Sequence, residues 1–593
     1  MGTLTIVLRG GSVRPDARLS VRSGLDGWQE DVPCEYVSGA DEWRVQLQGE
    51  GPVEFKFRCD GSWERGPNRV VENEHVATMV GRRYELFEEP DDIPVADSLA
   101  ARAHFPPVGT DQDFDYIVVG SGVGGGTLAH RLMVESGGAA RVLVLEAGGY
   151  LFPTHVGNLP RRHGPYVNRS VWELWNQFKV RRYSSEQPLD LAQAFCLGGR
   201  SVFWGALVPR MAPAEFAGWP QEVRQDLEGG WYDMAEDLLN GSAMPKDTLC
   251  GTVGAMLGQE LPDLAGDQAM LAAEHASGNG LGIPSGIFST AALLMEDRLR
   301  AGWDERLHVN LHHQVCGFAF DGDAVTAVDA FDLVAGVQRR FRLAEGGRVI
   351  LSAGTMGTPV LARAAGLSHE LAGRGITDHP TYYWKFSVKD GSPGYSAEDA
   401  AKVLLRGKAG DIPFNAVVEM GVNLNQYHVD EDLALDEADM PCEVVFFTAV
   451  PLEERNRVEV RGEGRRARPH VVMAHVEVEG LAEALERIGA AVMDAVGGTP
   501  LHPLPVRSEL GAVGHEVGTM RMGADAATGV VDPRPQGVRQ AQPLRLRPVG
   551  LPDLARRQPL AHARRPRDAP GRRAGQRLTA TSTDSGGRSW IST

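Results

Sequence analysis

The run Asp115-Tyr-Ile-Val-Val-Gly-Ser-Gly-Val-Gly-Gly-Gly-Thr-Leu-Ala-His-Arg-Leu132, followed by Val142-Leu-Val-Leu-Glu-Ala-Gly-Gly149, constrains this chain more than any other stretch. It reads as a buried strand, a glycine turn, a helix, a second buried strand and an acid at that strand's end. Gly120 permits the tight turn, Gly122 lets the backbone approach a pyrophosphate, and Gly125 allows close helix-to-strand packing, so that the helix N-terminus can face phosphates. Glu146 falls 21 residues after Gly125, where a carboxylate can accept hydrogen bonds from an adenosine ribose. A bare glycine pattern is weak, but here the flanking strand, helix and acid agree. Either FAD or NAD fits such a cradle.

With 593 residues the chain exceeds one ordinary domain, and about two to four domains are expected. No run of about 18 apolar residues occurs, so no membrane span is expected. The first ten residues carry no basic segment followed by an apolar stretch and cleavage site, and a cytoplasmic location is the default. The cysteines Cys34, Cys59, Cys196, Cys250, Cys316 and Cys442 are scattered, without metal-ligand spacing; buried free thiols are expected, and a Cys34–Cys59 pairing stays open. The net charge of −18 conceals an asymmetry, because residues 534–593 hold 13 Arg, no Lys, 3 Asp and no Glu. The preceding acidic body argues against nucleic-acid binding.

Residues 1–90 read as short strands broken by Gly, Pro and Asp: Thr3–Leu8, Glu42–Leu47, Val53–Arg58, Val70–Val71 and Tyr84–Phe87. A small β-sandwich is expected. Within it, Val53-Glu-Phe-Lys-Phe-Arg-Cys-Asp-Gly-Ser-Trp-Glu-Arg-Gly-Pro-Asn-Arg69 resembles the starch- and glycogen-binding carbohydrate modules. Those modules stack exposed aromatic rings on the apolar face of a sugar. The resemblance implies Trp63 as the stacking residue, with Trp28 and then Trp43 behind it, and Asn68 as a hydroxyl partner; a glucan would be the ligand. The opposing reading makes these tryptophans core or docking residues. Residues 91–112, with Asp-Asp-Ile-Pro and Phe-Pro-Pro-Val-Gly, read as a linker.

Three later blocks narrow the ligand. Leu197-Gly-Gly-Arg-Ser-Val-Phe-Trp-Gly205 lets backbone N–H groups approach a flat ring; Val349-Ile-Leu-Ser-Ala-Gly-Thr-Met-Gly-Thr-Pro359 reads as a buried strand ending in a small-residue turn; Gly514-His-Glu-Val-Gly-Thr-Met-Arg-Met-Gly523 sets a histidine in a glycine-bounded loop. In order and spacing over residues 113–533, these blocks resemble the glucose–methanol–choline (GMC) family of FAD oxidoreductases. The resemblance implies an α/β fold in which a dinucleotide-binding FAD domain is interleaved with an α+β substrate domain on an antiparallel sheet. It implies that Gly120, Gly122 and Gly125 hold the pyrophosphate, Glu146 the ribose, Gly198, Gly199 and Ser201 the flavin side, and the backbone of Val315 the adenine. Some members attach FAD through a histidine where this chain has Phe203, so non-covalent FAD is expected. His515 matches the active-site histidine. Oxidising an alcohol by hydride transfer requires removal of its hydroxyl proton, and imidazole titrates in the right range. No metal is expected, since the His515-Glu516 pair would need a second His where Thr519 stands. Gly375-Ile-Thr-Asp-His-Pro380 resembles a family segment near the flavin, with Asp378 and His379 as orienting groups or as plain turn chemistry.

After Gly529-Val-Val-Asp-Pro533 the resemblance stops. The family continues with a segment that closes over the flavin and carries a second active-site residue within Asn-Pro-x-x-Thr. Here Arg534 onward has no period and no core pattern. Reading its degenerate codons one base later permits Asn-Leu-Tyr-Val-Cys-Asp-Leu-Ser-Val-Phe-Pro and then Asn-Pro-Ser-Leu-Thr-Leu-Ala-Ala-Leu-Ala. Residues 534–593 are therefore expected to be an out-of-frame, disordered tail; a functional basic tail is the alternative. The expected function is FAD-dependent oxidation of a CH–OH group of an alcohol or sugar with His515 as proton acceptor, with activity of the chain as written in doubt. The alternative is a catalytically inactive carbohydrate-binding or scaffold protein.

Overall fold

The computed structural model describes residues 2–534 apart from 10–17, 38–41, 50–51, 60–61, 65–67, 72–75, 81–92, 96–97, 160–173, 186–188, 244–247, 274–285, 398, 410–411, 422–438 and 477. All the described residues belong to one compact unit. The 534–593 tail, after its first residue, lies outside them, as does the expected strand Tyr84–Phe87.

The opening residues form two sheets. One orders Glu35–Val37, Glu42–Gly49, Gly2–Arg9 and Val76–Val80; the other joins Val32–Pro33, Leu19–Ser23, Val53–Cys59 and Ser62–Trp63, with Arg69–Val71 also on Val53–Cys59. Alternation puts Ile6, Val21, Val45, Phe55 and Phe57 into one shared core. Trp43 is 7% exposed in that core, which removes it from the stacking candidates. Cys34 and Cys59 are both free thiols, so the pairing left open is not made. Of the six cysteines, Cys196, Cys250 and Cys442 are buried and the others half-buried.

The glycine motif lies in a six-stranded sheet ordered Leu307–Asn310, Val142–Leu145, Asp113–Val119, Val337–Leu351, Ala324–Asp332 and His313–Asp321. Its first four strands run parallel, and the last two add antiparallel. Parallel strands need both faces covered, and Ile117, Val118, Val144 and Leu145 are buried accordingly. The helix Val123–Glu135 packs on one face beside Thr290–Arg298, where His130 Nδ1 meets the buried Asp297 carboxylate at 2.8 Å. One expectation differs. Val349, Ile350 and Leu351 are only half-buried, because residues 348–351 pair with Tyr116–Val119 on one side and, among the described residues, with no strand on the other.

A seven-stranded antiparallel sheet orders Ala265–Gln268, Ala401–Ala409, Ile412–Met420, Met440–Thr448, Thr381–Val388 and Gly498–Pro500, with Val506–Arg507 also on Thr381–Val388. In chain order its strands fall between and after those of the parallel sheet. One face carries Trp384, Val403, Val418 and Val444 against the helix Leu481–Val496, which buries Leu485, Val492 and Val496. The other face carries Tyr383, Leu404, Val417, Val445 and Phe447 toward Leu207 and Val513. The expected strand Glu443–Phe447 falls within this sheet. The expected strand Val471–Val478 ends at Val472, because the Asn456 side chain takes the place of a neighbouring strand: Ala474 N donates to its Oδ1 at 2.9 Å and its Nδ2 donates to Ala474 O at 3.1 Å.

Candidate active site

The first cleft opens at the carboxyl ends of the parallel strands, has a volume of about 360 Å³, and is bordered by Gly120, Gly122, Glu146, Gly199, Ser201 and Val315. Gly120 has φ +98°, and a Cβ on it would meet Ser352 O at 2.5 Å. A Cβ on Gly125 would meet Gly120 O at 2.0 Å, so this glycine is what lets the helix seat on the turn. Gly122 and Gly124 face open space. The helix begins after Gly122 with no side-chain cap, so its first N–H groups are available to an anion.

Glu146 is buried, and its carboxylate accepts from Ser121 N at 3.0 Å, Ser121 Oγ at 2.7 Å and Gly148 N at 2.8 Å. Burial outweighs these bonds and raises its pKa. Ala147 N–H also points to this carboxylate, and Glu146 borders the cleft. Ser121, which sequence reasoning missed, also accepts from Gly198 N at 3.0 Å and so joins the two glycine turns. Gly198 has φ +85°, and a Cβ on Gly199 would sit 3.1 Å from Gly122 Cα. The Ser201 hydroxyl donates to Gly198 O at 2.6 Å and accepts from Thr290 N at 3.0 Å. Its side chain therefore shapes the turn.

A second cavity, of about 440 Å³, shares Val123, Arg200 and Ser201 with the first and reaches His379, Phe447 and His515. Four elements position His515. Arg200 Nη1 donates to Gly514 O at 2.8 Å and Nη2 lies 2.7 Å from Glu516 Oε2. Thr355 Oγ1 donates to Glu516 O at 2.6 Å. Asp378 Oδ1 accepts from His515 N at 3.2 Å and His379 N at 2.9 Å. A Cβ on Gly518 would meet Gly375 O at 2.0 Å, which fixes the loop against the 375–380 segment. Thus the blocks at 197–205, 349–359, 375–380 and 514–523 converge on one imidazole.

The His515 ring is exposed to the cavity it borders, and protein closes around its other sides. That desolvation, with His379 and the Arg200 guanidinium nearby, pushes its pKa down to about 3, so the neutral imidazole is held at pH 7. Among the described residues its ring nitrogens make no hydrogen bond. Its ring centroid lies 5.3 Å from that of His379 and 5.6 Å from that of Phe447. His379 Nδ1 faces Thr448 O at 3.3 Å, which leaves Nε2 as the acceptor when that contact is a donated N–H. Burial pushes Asp378 up to about 7, with the Glu516 carboxylate adding to it. Arg200, Thr355 and Phe447 were not singled out in the sequence: their roles depend on which loops meet.

Phe203 is buried in an aromatic group with Trp175 at 5.5 Å and Phe152 at 6.1 Å. In the N-terminal sheets, Trp63 and Trp28 are half-buried neighbours with centroids 6.3 Å apart, and the Arg58 guanidinium lies 5.0 Å from the Trp63 ring centre. Asn68 Nδ2 donates to Glu54 Oε1 at 2.9 Å. Among the described residues no cluster of His, Cys, Asp and Glu could hold a metal. No described helix is long and apolar enough to cross a membrane.

No family model matches the chain. It is 26% identical over 289 residues to (R)-mandelonitrile lyase 1 of Prunus serotina, covering 45% of this chain and 48% of that protein. It is 28% identical over 263 residues to (R)-mandelonitrile lyase 3 of Prunus serotina, covering 43% and 44%. The chain spans about half the length of the curated relatives it matches. The crystal structure of pyridoxine 4-oxidase from Mesorbium loti superposes with a TM-score of 0.50 at 16% identity, covering 71% of this chain and 91% of that one. The likeness to that oxidase is one of fold. The shared fold accounts for the cleft at the parallel strands' ends and for the antiparallel sheet beside it.

Proposed function

We propose that this chain is built as an FAD-dependent oxidoreductase that oxidises a CH–OH group of an alcohol or sugar. The observation that carries the reading is the convergence of the glycine cradle and His515 on two cavities that share Val123, Arg200 and Ser201. The residues fit FAD: the uncapped helix N-terminus and the open faces of Gly122 and Gly124 suit a pyrophosphate, Glu146 borders the cleft with a carboxylate for a ribose hydroxyl, and Val315 borders it for adenine. Phe203, in the place of an attaching histidine, supports non-covalent binding. When bound, FAD supplies the hydride acceptor. His515, neutral and open to the cavity, takes the hydroxyl proton at an imidazole nitrogen, while Asp378, Arg200 and Thr355 hold its loop.

Ahead of this body, the N-terminal sheets support a β-sandwich of carbohydrate-binding type, with Trp63 and Trp28 presenting rings and Asn68 a polar edge to a glucan. The open side of residues 348–351 supports the reading that residues after Pro533 are out of frame, since the frame-shifted codons permit the apolar strand-like run Asn-Leu-Tyr-Val-Cys-Asp-Leu-Ser-Val-Phe. On that reading the chain as written lacks the partner Asn for the substrate oxygen, and the second function, a catalytically inactive carbohydrate-binding protein, applies to it.

The test is a flavin absorbance spectrum of the purified protein, followed anaerobically as alcohols and sugars are added. Bleaching supports the oxidoreductase. A frame-restored protein that takes up FAD and is bleached by none of them sinks that reading, and retention on a glucan column without flavin favours the second.

A further inference from the structure

The sheet under the His515 cavity carries a charged ladder that proton removal does not require, and one of its members, Glu419, borders the cavity. Across four strands Lys402 stands opposite Glu419, Glu419 opposite Glu443, and Glu443 opposite Lys385. All four are buried, and Lys402 Nζ lies 2.7 Å from Glu419 Oε1. Side chains two residues apart on a strand share a face. The next row on this face is therefore Leu404, Val417, Val445 and Tyr383, and the row after it contains Asn415 and Phe447.

Phe447 is the residue beside the His515 ring, at 5.6 Å, and Glu419, Val417, Leu404 and Asn415 border the same cavity. Four residues of strand place Glu419 about 13 Å from Asn415. The floor thus runs from Asn415 and Phe447 under His515, over Leu404 and Val417, to the Glu419 carboxylate at the far end.

Burying ions is costly, and a buried ion pair exchanged for apolar residues of similar volume is often neutral or stabilising. Stability alone gives no reason for this ladder, whereas the place of Glu419 at the cavity border does. Two Lys and two Glu leave it without net charge, so it does not draw in a cation. A carboxylate accepts several hydrogen bonds at once, and the Lys402 contact is compatible with another donor from the cavity side.

We propose that the cavity selects an extended, neutral alcohol: one hydroxyl at His515, an apolar middle over Leu404 and Val417, and a second hydroxyl accepted by Glu419. The proposal rests on the alcohol-oxidation reading and narrows it away from a sugar, whose mid-chain hydroxyls would lie unpaired on the apolar row.

The test is calorimetric binding to the full chain of linear octanediol hydroxylated at both ends, octanol, the matching amino-octanol, and glucose. The diol is expected to bind about ten-fold or more tightly than octanol. In the paired variant Lys402→Met with Glu419→Leu, which removes both charges and keeps a filled floor, that preference is expected to disappear while octanol binding holds. Equal affinities in the unmodified chain, a preference that survives the paired variant, or tighter binding of amino-octanol or glucose than of the diol would each overturn the proposal. Flavin bleaching in the frame-restored chain is read separately. A diol preference with FAD bound but no bleaching by any alcohol overturns the oxidoreductase reading and leaves the cavity assignment standing; bleaching without a diol preference does the reverse.

Discussion

His515 and Asp378 are adjacent through a backbone hydrogen bond and are displaced from their ordinary titration ranges in opposite ways. The lowered imidazole is neutral throughout the physiological range, which is the form needed to accept a proton. In the frame-restored chain, His515→Asn is expected to reduce the rate of anaerobic flavin bleaching about a hundred-fold to ten-thousand-fold, with the bound-flavin spectrum unchanged; a loss of flavin instead would assign the residue a structural role. Asp378 makes a stability prediction. Its folded pKa of about 7 lies above its ordinary 3.8, so its contribution is fully present below pH 3.8 and is lost as pH rises through 7. The loss runs at up to roughly 1.4 kcal/mol per pH unit between those values. Asp378→Asn, which has no proton to lose, is expected to melt at a temperature less sensitive to pH between 5 and 8 than the unmodified chain. Parallel melting curves against pH for the two proteins would show that Asp378 does not titrate as described.

At the scale of elements, the glycine turn is separated by its own neighbours into positions that tolerate a side chain and positions that do not. A Cβ on Gly125 would overlap Gly120 O, a backbone atom that cannot step aside, whereas a Cβ on Gly124 meets nothing within 4 Å. Gly125→Ala is expected to destabilise the chain by about 2 kcal/mol or more through overpacking, read by denaturant unfolding, while Gly124→Ala holds or gains up to about 1 kcal/mol in its helix. This element was legible in the sequence because its signals are local: the apolar run Tyr116–Val119, the turn glycines and the terminal Glu146 all fall within one short segment. The His515 block was legible for the same reason. The groups that act on it were not, since Arg200, Thr355 and Phe447 reach it from segments far apart in the chain. The Lys402–Glu419–Glu443–Lys385 ladder is hidden still more deeply, because it exists only once the registers of four strands are set. Strand Arg468–Val472 ended early because a side chain, Asn456, displaced the backbone partner that an alternating pattern promises.

Across the whole molecule, the parallel sheet has one edge that its composition does not explain. Val349, Ile350 and Leu351 have the apolar character of a strand flanked on both sides, yet among the described residues only Tyr116–Val119 flanks them. An apolar edge of this kind calls for a partner strand or a cover. On the proposed frame change, the degenerate codons after Pro533 permit such a strand and, after it, an Asn-Pro-x-x-Thr segment that would face His515. Restoring the frame should therefore change two independent properties together. The restored protein is expected to be yellow as purified, and its apo form to gain about 2.7 kcal/mol of stability when FAD is added at a hundred times its dissociation constant. The chain as written is expected to be colourless, with a melting temperature indifferent to FAD. Equal flavin absorbance and equal FAD-dependent melting shifts in the two proteins would show that the cradle from Gly120 to Glu146 holds its ligand without the shifted segment, and the frame reading would then fail.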